Sequence, residues 1–135
     1  MTKAPTPLEK VQKIQAMYPN LTVEAMSEVL WDDCITHEAA TLPYGGEWRG
    51  PQGFLDLMDA IAAAWKNFKV DQRVVLTNDK DLVAFRAQIS GDGPAGHFDM
   101  PVLELWTFRD GKASEVMVCY FDTGVLIPGV KPKSK

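Results

Sequence analysis

Three carboxylic acid side chains occur in segments whose other residues are mostly apolar. They are Glu38 in CITHEAAT, Glu104 in MPVLELWTF and Asp122 at the end of VMVCYFD. A carboxylate in an apolar strand is unfavourable unless it is paired, hydrogen-bonded or protonated. Residues of this kind are found at sites of general acid–base chemistry, although a structural ion pair gives the same pattern. The sequence therefore predicts these three residues as candidate catalytic acids and bases.

His37 is a fourth candidate, because it directly precedes Glu38. Neighbouring residues of a β-strand point to opposite faces of the sheet, so both side chains cannot face one pocket. His37 is thus an alternative base to Glu38 rather than its partner. The sequence leaves open which of the two faces inward. Four aromatic residues are predicted to line a pocket for a flat hydrophobic ligand: Tyr44, Trp48, Trp106 and Tyr120.

Helical periodicity is confined to the N-terminal half of the chain. Thr6-Pro7-Leu8-Glu9 has the capping-box pattern with proline in the first helical position, and this helix is expected to end before Pro19. Thr22 is expected to cap a second, short helix that reaches about Trp31. Gly50-Pro51 begins the clearest helix. Its apolar residues follow the helical repeat along one face: Phe54, Leu57, Met58, Ile61 and Trp65.

Strand periodicity dominates the rest of the chain. CITHEAAT predicts a first strand, followed by a turn at 42–46. Residues 68–76 and 83–89 alternate between apolar and polar, and a loop is expected at 91–96. The segments at about 98–108 and 113–122 are joined by Asp110-Gly111, a strong hairpin signal. Both segments are apolar on two faces, which predicts that they form the centre of the sheet.

This element order predicts an α+β fold with three helices packed on a curved, mainly antiparallel sheet. A curved sheet wrapped around the long helix leaves room for a pocket at its open end. The apolar outer face of the central strands predicts a homodimer formed through the sheet, because large exposed apolar patches mark interfaces. The chain of 135 residues is expected to be one domain, 1–135, with a flexible basic tail from about 128 to 135.

Composition excludes several classes of function. The net charge of −4 provides no basic surface for a nucleic acid. No apolar run approaches the roughly 20 residues that span a membrane, and the N-terminus lacks a signal-peptide core, so a cytoplasmic protein is expected. Cys34 and Cys119 suit neither a metal site nor a disulfide framework, and both are expected to be buried free thiols. No phosphate-binding loop or metal-ligand cluster is recognisable, so no cofactor and no metal are expected.

The arrangement WDDCITHEA, a turn ending in Trp48-Arg49-Gly50, a long helix and a strand meander resembles the NTF2-like superfamily. This superfamily of cone-shaped domains includes ketosteroid isomerases, SnoaL-like polyketide cyclases and limonene epoxide hydrolases. The resemblance extends over about residues 8–126, and the stretch from His37 to Gly50 is most similar to SnoaL-like members. It implies a closed cone with a ligand pocket, and it supports the fold better than any one activity.

The resemblance also implies roles for individual residues. Glu38 falls where ketosteroid isomerases have a general-base aspartate, and Glu104 falls where they have a carboxylic acid kept neutral by an apolar site. Asp122 lies near the acid/base aspartate of SnoaL-like cyclases. The tyrosine that donates to the substrate oxygen in the isomerases is replaced by Ile14. Tyr18, one helical turn further on, is the candidate substitute.

Two functions remain open from the sequence. The first is a cofactor-independent enzyme that isomerises or cyclises a small hydrophobic carbonyl compound, with Glu38 as the leading base. The second is a non-catalytic protein that binds a hydrophobic metabolite or acts as a dimeric assembly module. Convergence of the carboxylates on one cavity distinguishes them, because an enzyme needs two such groups near one bound molecule and a binder does not.

Overall fold

Three α-helices and six β-strands form residues 3–128, the part of the chain that a computed structural model describes. The helices are α1 (Pro7–Met17), α2 (Val23–Ser27) and α3 (Gly50–Ala64). The strands are β1 (Leu30–Glu38), β2 (Gly46–Arg49), β3 (Lys66–Thr77), β4 (Leu82–Gly93), β5 (Gly96–Arg109) and β6 (Lys112–Tyr120). A short 3₁₀ helix follows at Gly124–Leu126. The basic tail predicted from the sequence lies almost wholly outside the described residues.

All six strands belong to one sheet with the order β2-β1-β6-β5-β4-β3. β1 runs parallel to β6, and every other neighbouring pair is antiparallel. The predicted α+β class is therefore confirmed, and β5 and β6 occupy the middle of the sheet as their two apolar faces indicated. Within residues 3–128 no helix has the length and apolar character needed to cross a membrane.

Local sequence signals account for the ends of several elements. The capping box of α1 forms, because the Glu9 amide donates to Thr6 Oγ1 at 3.1 Å and the Thr6 amide donates to Glu9 Oε1 at 3.0 Å. The hairpin between β5 and β6 turns at Asp110 and Gly111, whose φ angles are 52° and 90°. Positive φ at both positions is the requirement of a type I′ turn. These two predictions of element boundaries are confirmed.

Other predicted boundaries are wrong. The second helix ends at Ser27 rather than near Trp31, because the chain has already entered β1 at Leu30. The predicted turn region ends in an additional short strand, β2, which pairs with β1. A strand of four residues is too short for its periodicity to be recognised in the sequence. The predicted loop at 91–96 is a tight hairpin instead. β4 and β5 remain paired up to Gly93 and Gly96, so the strands are longer than their apolar segments.

β3 is one of the strands with irregular pairing. Its pairing with β4 is interrupted between Lys66 and Lys69 and again between Asp71 and Val74. Asn67 and Gln72 have positive φ angles of 55° and 51° at these irregularities. β-Bulges bend and twist a strand, and here they direct the end of β3 towards α1. As a result the Arg73 guanidinium lies 5.3 Å from the centre of the Tyr18 ring.

The concave face of the sheet packs on the helices and carries the core. Alternation along β1 places Cys34, Thr36 and Glu38 on this face, where all three are buried. Cys119 lies on the opposite, convex face and is exposed. The expectation that both cysteines are buried is therefore wrong for Cys119, since an apolar segment alone does not indicate which of its faces is covered.

Gly50, at the junction of β2 and α3, has a φ angle of 71°, and a Cβ added there would lie 2.7 Å from the Asp32 backbone oxygen. Gly50→Ala is expected to lower the free energy of unfolding by at least about 2 kcal/mol, because left-handed backbone strain and a steric clash add together. Urea denaturation followed by circular dichroism measures this change.

Gly111→Ala is the matched control. Gly111 also has a positive φ angle, of 90°, but apart from its chain neighbours no described residue has an atom within 4 Å of an added Cβ. Only the backbone strain applies, so a loss of about 1 kcal/mol is expected. Equal losses in the two variants would show that the close approach of Asp32 to Gly50 does not constrain the junction.

Candidate active site

A cavity lies between the concave face of the sheet and helices α1 and α3. Its volume is about 80 Å³, which accommodates several water molecules. α3 contributes the apolar side chains of Phe54, Met58 and Ile61, and the strands contribute further apolar side chains. Such a lining with few polar groups is typical of ligand sites. The polar residues of the cavity wall are Gln15, Tyr18, Glu38, Glu104 and Tyr120.

Glu38 and Glu104 face this cavity from strands that are separated by a single strand. Glu104 of β5 is paired with Val118 of β6. The parallel register pairs His37 with Met117, and its continuation by one residue places Glu38 beside Val118. The two carboxylates therefore occupy one row across the sheet, roughly 10 Å apart at the backbone, with a valine between them. A small molecule that lies over Val118 contacts both.

Glu38 is buried in a predominantly apolar environment. Its carboxyl oxygen Oε1 has no hydrogen-bond partner within residues 3–128, and neither has the hydroxyl of the neighbouring Thr36. Burial raises the pKa of Glu38 to about 8, the Tyr120 hydroxyl opposes this increase, and the negative charge of Glu104 adds to it. At neutral pH Glu38 is therefore mainly a neutral carboxylic acid, which can donate a hydrogen bond.

Glu104 is hydrogen-bonded to an indole donor. The indole Nε1 of Trp106 donates to Glu104 Oε1 at 3.0 Å. Burial raises the pKa of Glu104 to about 7, and the hydrogen bond from Trp106 limits the increase. The N–H donor stabilises the ionised form of Glu104, as the Tyr120 hydroxyl does for Glu38. Both carboxyl groups of the cavity therefore ionise less readily than an exposed glutamate does.

Tyr120 is supported from behind by Tyr44 and Trp65. The Tyr120 and Tyr44 hydroxyl oxygens are 2.9 Å apart, and Trp65 Nε1 donates to the Tyr44 hydroxyl oxygen at 3.1 Å. Burial raises the pKa of Tyr44 to about 12, and burial together with the nearby Glu38 raises the pKa of Tyr120 as well. Both phenols are therefore protonated at physiological pH and act as hydroxyl groups.

Ile14 and Tyr18 line the end of the cavity that α1 covers. Ile14 is buried and offers no hydrogen bond, as the sequence indicated. Tyr18 is partly exposed, and burial raises its pKa while the Arg73 guanidinium above its ring lowers it. Tyr18 is the C-terminal cap of α1, where the chain turns towards α2. The structure thus brings Tyr18 to the cavity, at its rim rather than beside Glu38.

Several residues predicted for the site lie elsewhere. His37 faces the convex side, where its Nε2 lies 3.2 Å from Glu115 Oε2. Asp122 follows the end of β6, is exposed, and accepts a hydrogen bond from the Gly124 amide at 2.9 Å. It lines a separate groove beside the β4–β5 hairpin. The structure therefore shows that Glu38, and not His37, faces the cavity. Asp122 does not lie with Glu38 and Glu104 in the cavity lining.

The predicted aromatic residues are divided in the same way. Tyr120 lines the cavity, whereas Tyr44 is buried behind it. Trp106 is fully buried in the core, and it acts on the cavity only through its bond to Glu104. Trp48 donates its indole N–H to the backbone oxygen of Tyr44 at 2.9 Å and does not line the cavity.

Trp65 was not among the site residues that the sequence predicted. It continues the apolar face of α3 and reads as an ordinary core residue, yet its N–H completes the hydrogen-bond chain to Tyr120. The N–H of a buried tryptophan usually has a hydrogen-bond acceptor, so the sequence could have indicated that Trp65 has a polar partner. Within the described residues, no group of three or more His, Cys, Asp or Glu side chains is placed to hold a metal ion.

Comparison with known proteins defines the family. A model of the SnoaL-like domain matches residues 12–116, which is most of the chain. The protein therefore belongs to the SnoaL-like domain family, and its fold is NTF2-like, as the sequence indicated. No curated protein matches the sequence.

Crystal structures of distant relatives share this fold. An NTF2-like protein from Burkholderia thailandensis is 20% identical with a TM-score of 0.75, over 89% of this chain and 93% of that one. A candidate polyketide cyclase from Pseudomonas putida is 19% identical with a TM-score of 0.66, over 87% and 92%. TerC, co-crystallised with polyporic acid, is 17% identical with a TM-score of 0.70, over 87% and 92%. These similarities establish a shared fold.

The raised pKa values of Glu38 and Glu104 predict that stability falls as pH rises. Between about pH 5 and pH 8 the folded chain holds protons on these groups that the unfolded chain has released, so ionisation favours unfolding. Glu38→Gln is expected to reduce this decline and to raise stability at about pH 9 by roughly 1–3 kcal/mol. Thermal and urea unfolding across this pH range measures it.

Glu47→Gln is the control, since Glu47 is an exposed residue of β2 and the substitution removes the same charge. Its stability is expected to follow the pH dependence of the wild type. An equal effect of both substitutions would mean that the change in net charge, and not the burial of Glu38, determines the decline.

Proposed function

We propose that this protein is a cofactor-independent enzyme that removes a proton next to the carbonyl group of a small hydrophobic compound. The observation that carries the proposal is the pair of carboxyl groups, Glu38 and Glu104, which face one apolar cavity and differ in their tendency to ionise. Titratable groups whose environments separate their pKa values are suited to divided acid and base roles. The reaction is an isomerisation or an aldol-type ring closure.

Glu104 is the base in this proposal and Glu38 is the acid. The hydrogen bond from Trp106 stabilises the carboxylate of Glu104, whereas Glu38 Oε1 has no hydrogen-bond partner among residues 3–128. In this proposal Glu38 therefore keeps its proton. The resemblance to ketosteroid isomerases implies the opposite assignment. The roles are exchanged because the indole donor lies on β5, next to Glu104, and not on β1.

The chemistry balances without a cofactor. Glu104 takes the proton from the carbon beside the carbonyl group, and the electron pair of that C–H bond forms the enolate. Neutral Glu38 donates a hydrogen bond to the enolate oxygen, which lowers the energy of the developing charge. In a β,γ-unsaturated ketone the enolate is conjugated with the β,γ double bond. Return of the same proton from Glu104 to the γ carbon then moves the double bond into conjugation with the carbonyl group. For ring closure, the enolate carbon instead attacks a second carbonyl carbon, whose oxygen takes the proton.

The cavity and the family both support a hydrophobic substrate. Apolar side chains form most of the cavity wall. The polar residues in the wall are Gln15, Tyr18, Glu38, Glu104 and Tyr120. The structural relatives include a candidate polyketide cyclase and a protein crystallised with polyporic acid. In the form described, the volume of about 80 Å³ favours a compact substrate, so a larger one requires α1 or Tyr18 to move.

A ligand-binding module without catalysis is the second candidate. Ile14 supports it, because this residue places a hydrocarbon side chain on the cavity wall where ketosteroid isomerases have a hydrogen-bond donor. In that case the cavity binds a hydrophobic metabolite and the two carboxyl groups only orient it. Catalysis and binding are separated by whether a bound ketone is converted.

We further propose that the protein forms a homodimer through the convex face of the sheet. Apolar side chains on this face remain between 41% and 64% exposed, although they occupy central strands and the adjacent edge. A patch of this kind is unfavourable in water unless it is covered. The contributing residues are Val74, Leu76, Leu103, Leu105 and Met117.

The catalytic roles are tested with cyclohex-3-en-1-one, a compact ketone whose conjugated isomer absorbs in the ultraviolet. The wild type is expected to be most active between about pH 7 and pH 8, where Glu104 is ionised and Glu38 is not. Glu104→Gln is expected to lower kcat by roughly 10²–10⁴-fold. Glu38→Gln retains an N–H donor, so it is expected to remain active and to lose the alkaline limb of the profile.

The reverse pattern, with Glu38→Gln inactive and Glu104→Gln active, would assign the base role to Glu38. Glu47→Gln serves as the control for loss of an exposed carboxylate and is expected to match the wild type. Saturable stabilisation by the ketone in a thermal-shift assay, without turnover by any form, would favour the ligand-binding module.

Leu105→Glu is expected to weaken self-association, because it places a charge within the apolar convex face. Sedimentation velocity at micromolar concentration is expected to show a dimer for the wild type and a monomer for the variant. Phe121→Glu is the control: Phe121 is 79% exposed but follows β6 rather than lying within the sheet. A compact wild-type monomer would refute this proposal.

A further inference from the structure

Three buried or partly buried side chains form a hydrogen-bond chain that ends at the cavity. It begins at Trp65, at the end of α3, passes through Tyr44, and reaches Tyr120 at the end of β6. The successive donor–acceptor distances are 3.1 Å and 2.9 Å. Trp65 and Tyr44 are only 4% and 2% exposed, whereas Tyr120 lines the cavity. The chain thus connects the protein interior with the ligand site.

The chemistry of the first member determines the direction of the others. An indole N–H donates and cannot accept, so the Tyr44 oxygen must be the acceptor of the Trp65 bond. Tyr44 has one hydroxyl hydrogen, and Tyr120 is the acceptor that the described residues provide for it. An unsatisfied buried hydroxyl is unfavourable, so Tyr44 donates to Tyr120. The hydrogen of Tyr120 then points away from Tyr44.

The remaining direction for that hydrogen leads to the cavity beside Glu38. The hydroxyl of Tyr120 and the carboxyl of Glu38 are close enough for each to affect the ionisation of the other. We propose that Trp65 and Tyr44 are positioning residues that hold Tyr120 as a one-way hydrogen-bond donor to the oxygen of a bound ligand. This inference rests on the proposed function for its reaction, but its claim about hydrogen-bond direction is independent of turnover.

The arrangement compensates for the missing donor on α1. Ile14 cannot donate to a ligand oxygen, whereas Tyr120 and neutral Glu38 together present two donors from β6 and β1. Two donors that converge on one point select ligands with an acceptor oxygen there, such as a ketone or an enolate. The chain therefore also determines which class of ligand binds.

The experiment uses 4-nitrophenol, whose ionised form absorbs visible light and mimics an enolate oxygen. Its apparent pKa when bound reports the donors that surround its oxygen. In the Glu38→Gln background, which removes titration of that carboxyl group, Tyr120→Phe is expected to weaken phenolate binding relative to phenol binding by roughly 10- to 100-fold. Tyr44→Phe and Trp65→Phe are expected to shift the bound pKa in the same direction by a smaller amount, because Tyr120 keeps its hydroxyl but loses its fixed direction.

Trp48→Phe is the matched control, because it removes an indole N–H bond to the Tyr44 backbone oxygen and leaves the chain intact. It is expected to leave the pKa of bound 4-nitrophenol unchanged. A purely structural role for Tyr44 and Trp65 would lower the melting temperature of their variants without shifting that pKa, and this result would overturn the inference. Tyr44→Phe and Trp65→Phe each interrupt the hydrogen-bond chain, so the test can still be made if one of the two variants does not fold.

Two further outcomes separate this inference from the proposed function. If the wild type does not convert cyclohex-3-en-1-one, yet the bound pKa depends on Tyr120, Tyr44 and Trp65 as expected, the proposed function fails and the inference stands. If the ketone is converted but Tyr120→Phe leaves the bound pKa unchanged, the inference fails alone. Absence of any binding of 4-nitrophenol to the wild type would also overturn it, since the donor would then face no acceptor site.

Discussion

The structure depends on the cost of placing two carboxyl groups in one apolar concavity. Glu38 and Glu104 are two strands apart on the same face, and Val118 separates them. Ionisation of both groups is strongly unfavourable there, because each loses hydration and repels the other. The hydrogen bond from Trp106 stabilises the ionised form of Glu104, and the Tyr120 hydroxyl stabilises that of Glu38. In the proposed function, the different local donors separate the roles of the two carboxyl groups.

The surrounding elements maintain this environment. Insertion of β1 parallel to β6 brings Glu38 into the row of Glu104, and the bulges of β3 curve the sheet towards α1. α3 covers the concavity with apolar side chains, which gives the carboxyl groups a largely apolar environment. At its far end, α3 supplies Trp65, so the element that closes the cavity also supports the tyrosine that faces it. Stability and ligand chemistry therefore use the same contacts.

In the proposed function, the concave face of the sheet binds the ligand and the convex face forms the dimer. The concave face holds the groups assigned to chemistry, and the convex face carries exposed apolar side chains together with His37 and Cys119. Alternation along a strand separates the two sets completely, since neighbouring residues cannot share a face. A substitution on the convex face is therefore expected to affect association without direct contact with a bound ligand.

The sequence by itself determined the fold class, most of the elements, and two of the cavity carboxylates. Helix caps, the Asp110-Gly111 turn and the alternation of strands are local signals, and local geometry satisfies them. Tertiary structure alone decided that Glu38 rather than His37 faces inward, that Asp122 lies outside the cavity, and that Cys119 is exposed. It also decided which donors reach Glu104 and Tyr120. These outcomes depend on which face of a strand is covered and on contacts between residues distant in sequence, and no local pattern contains either.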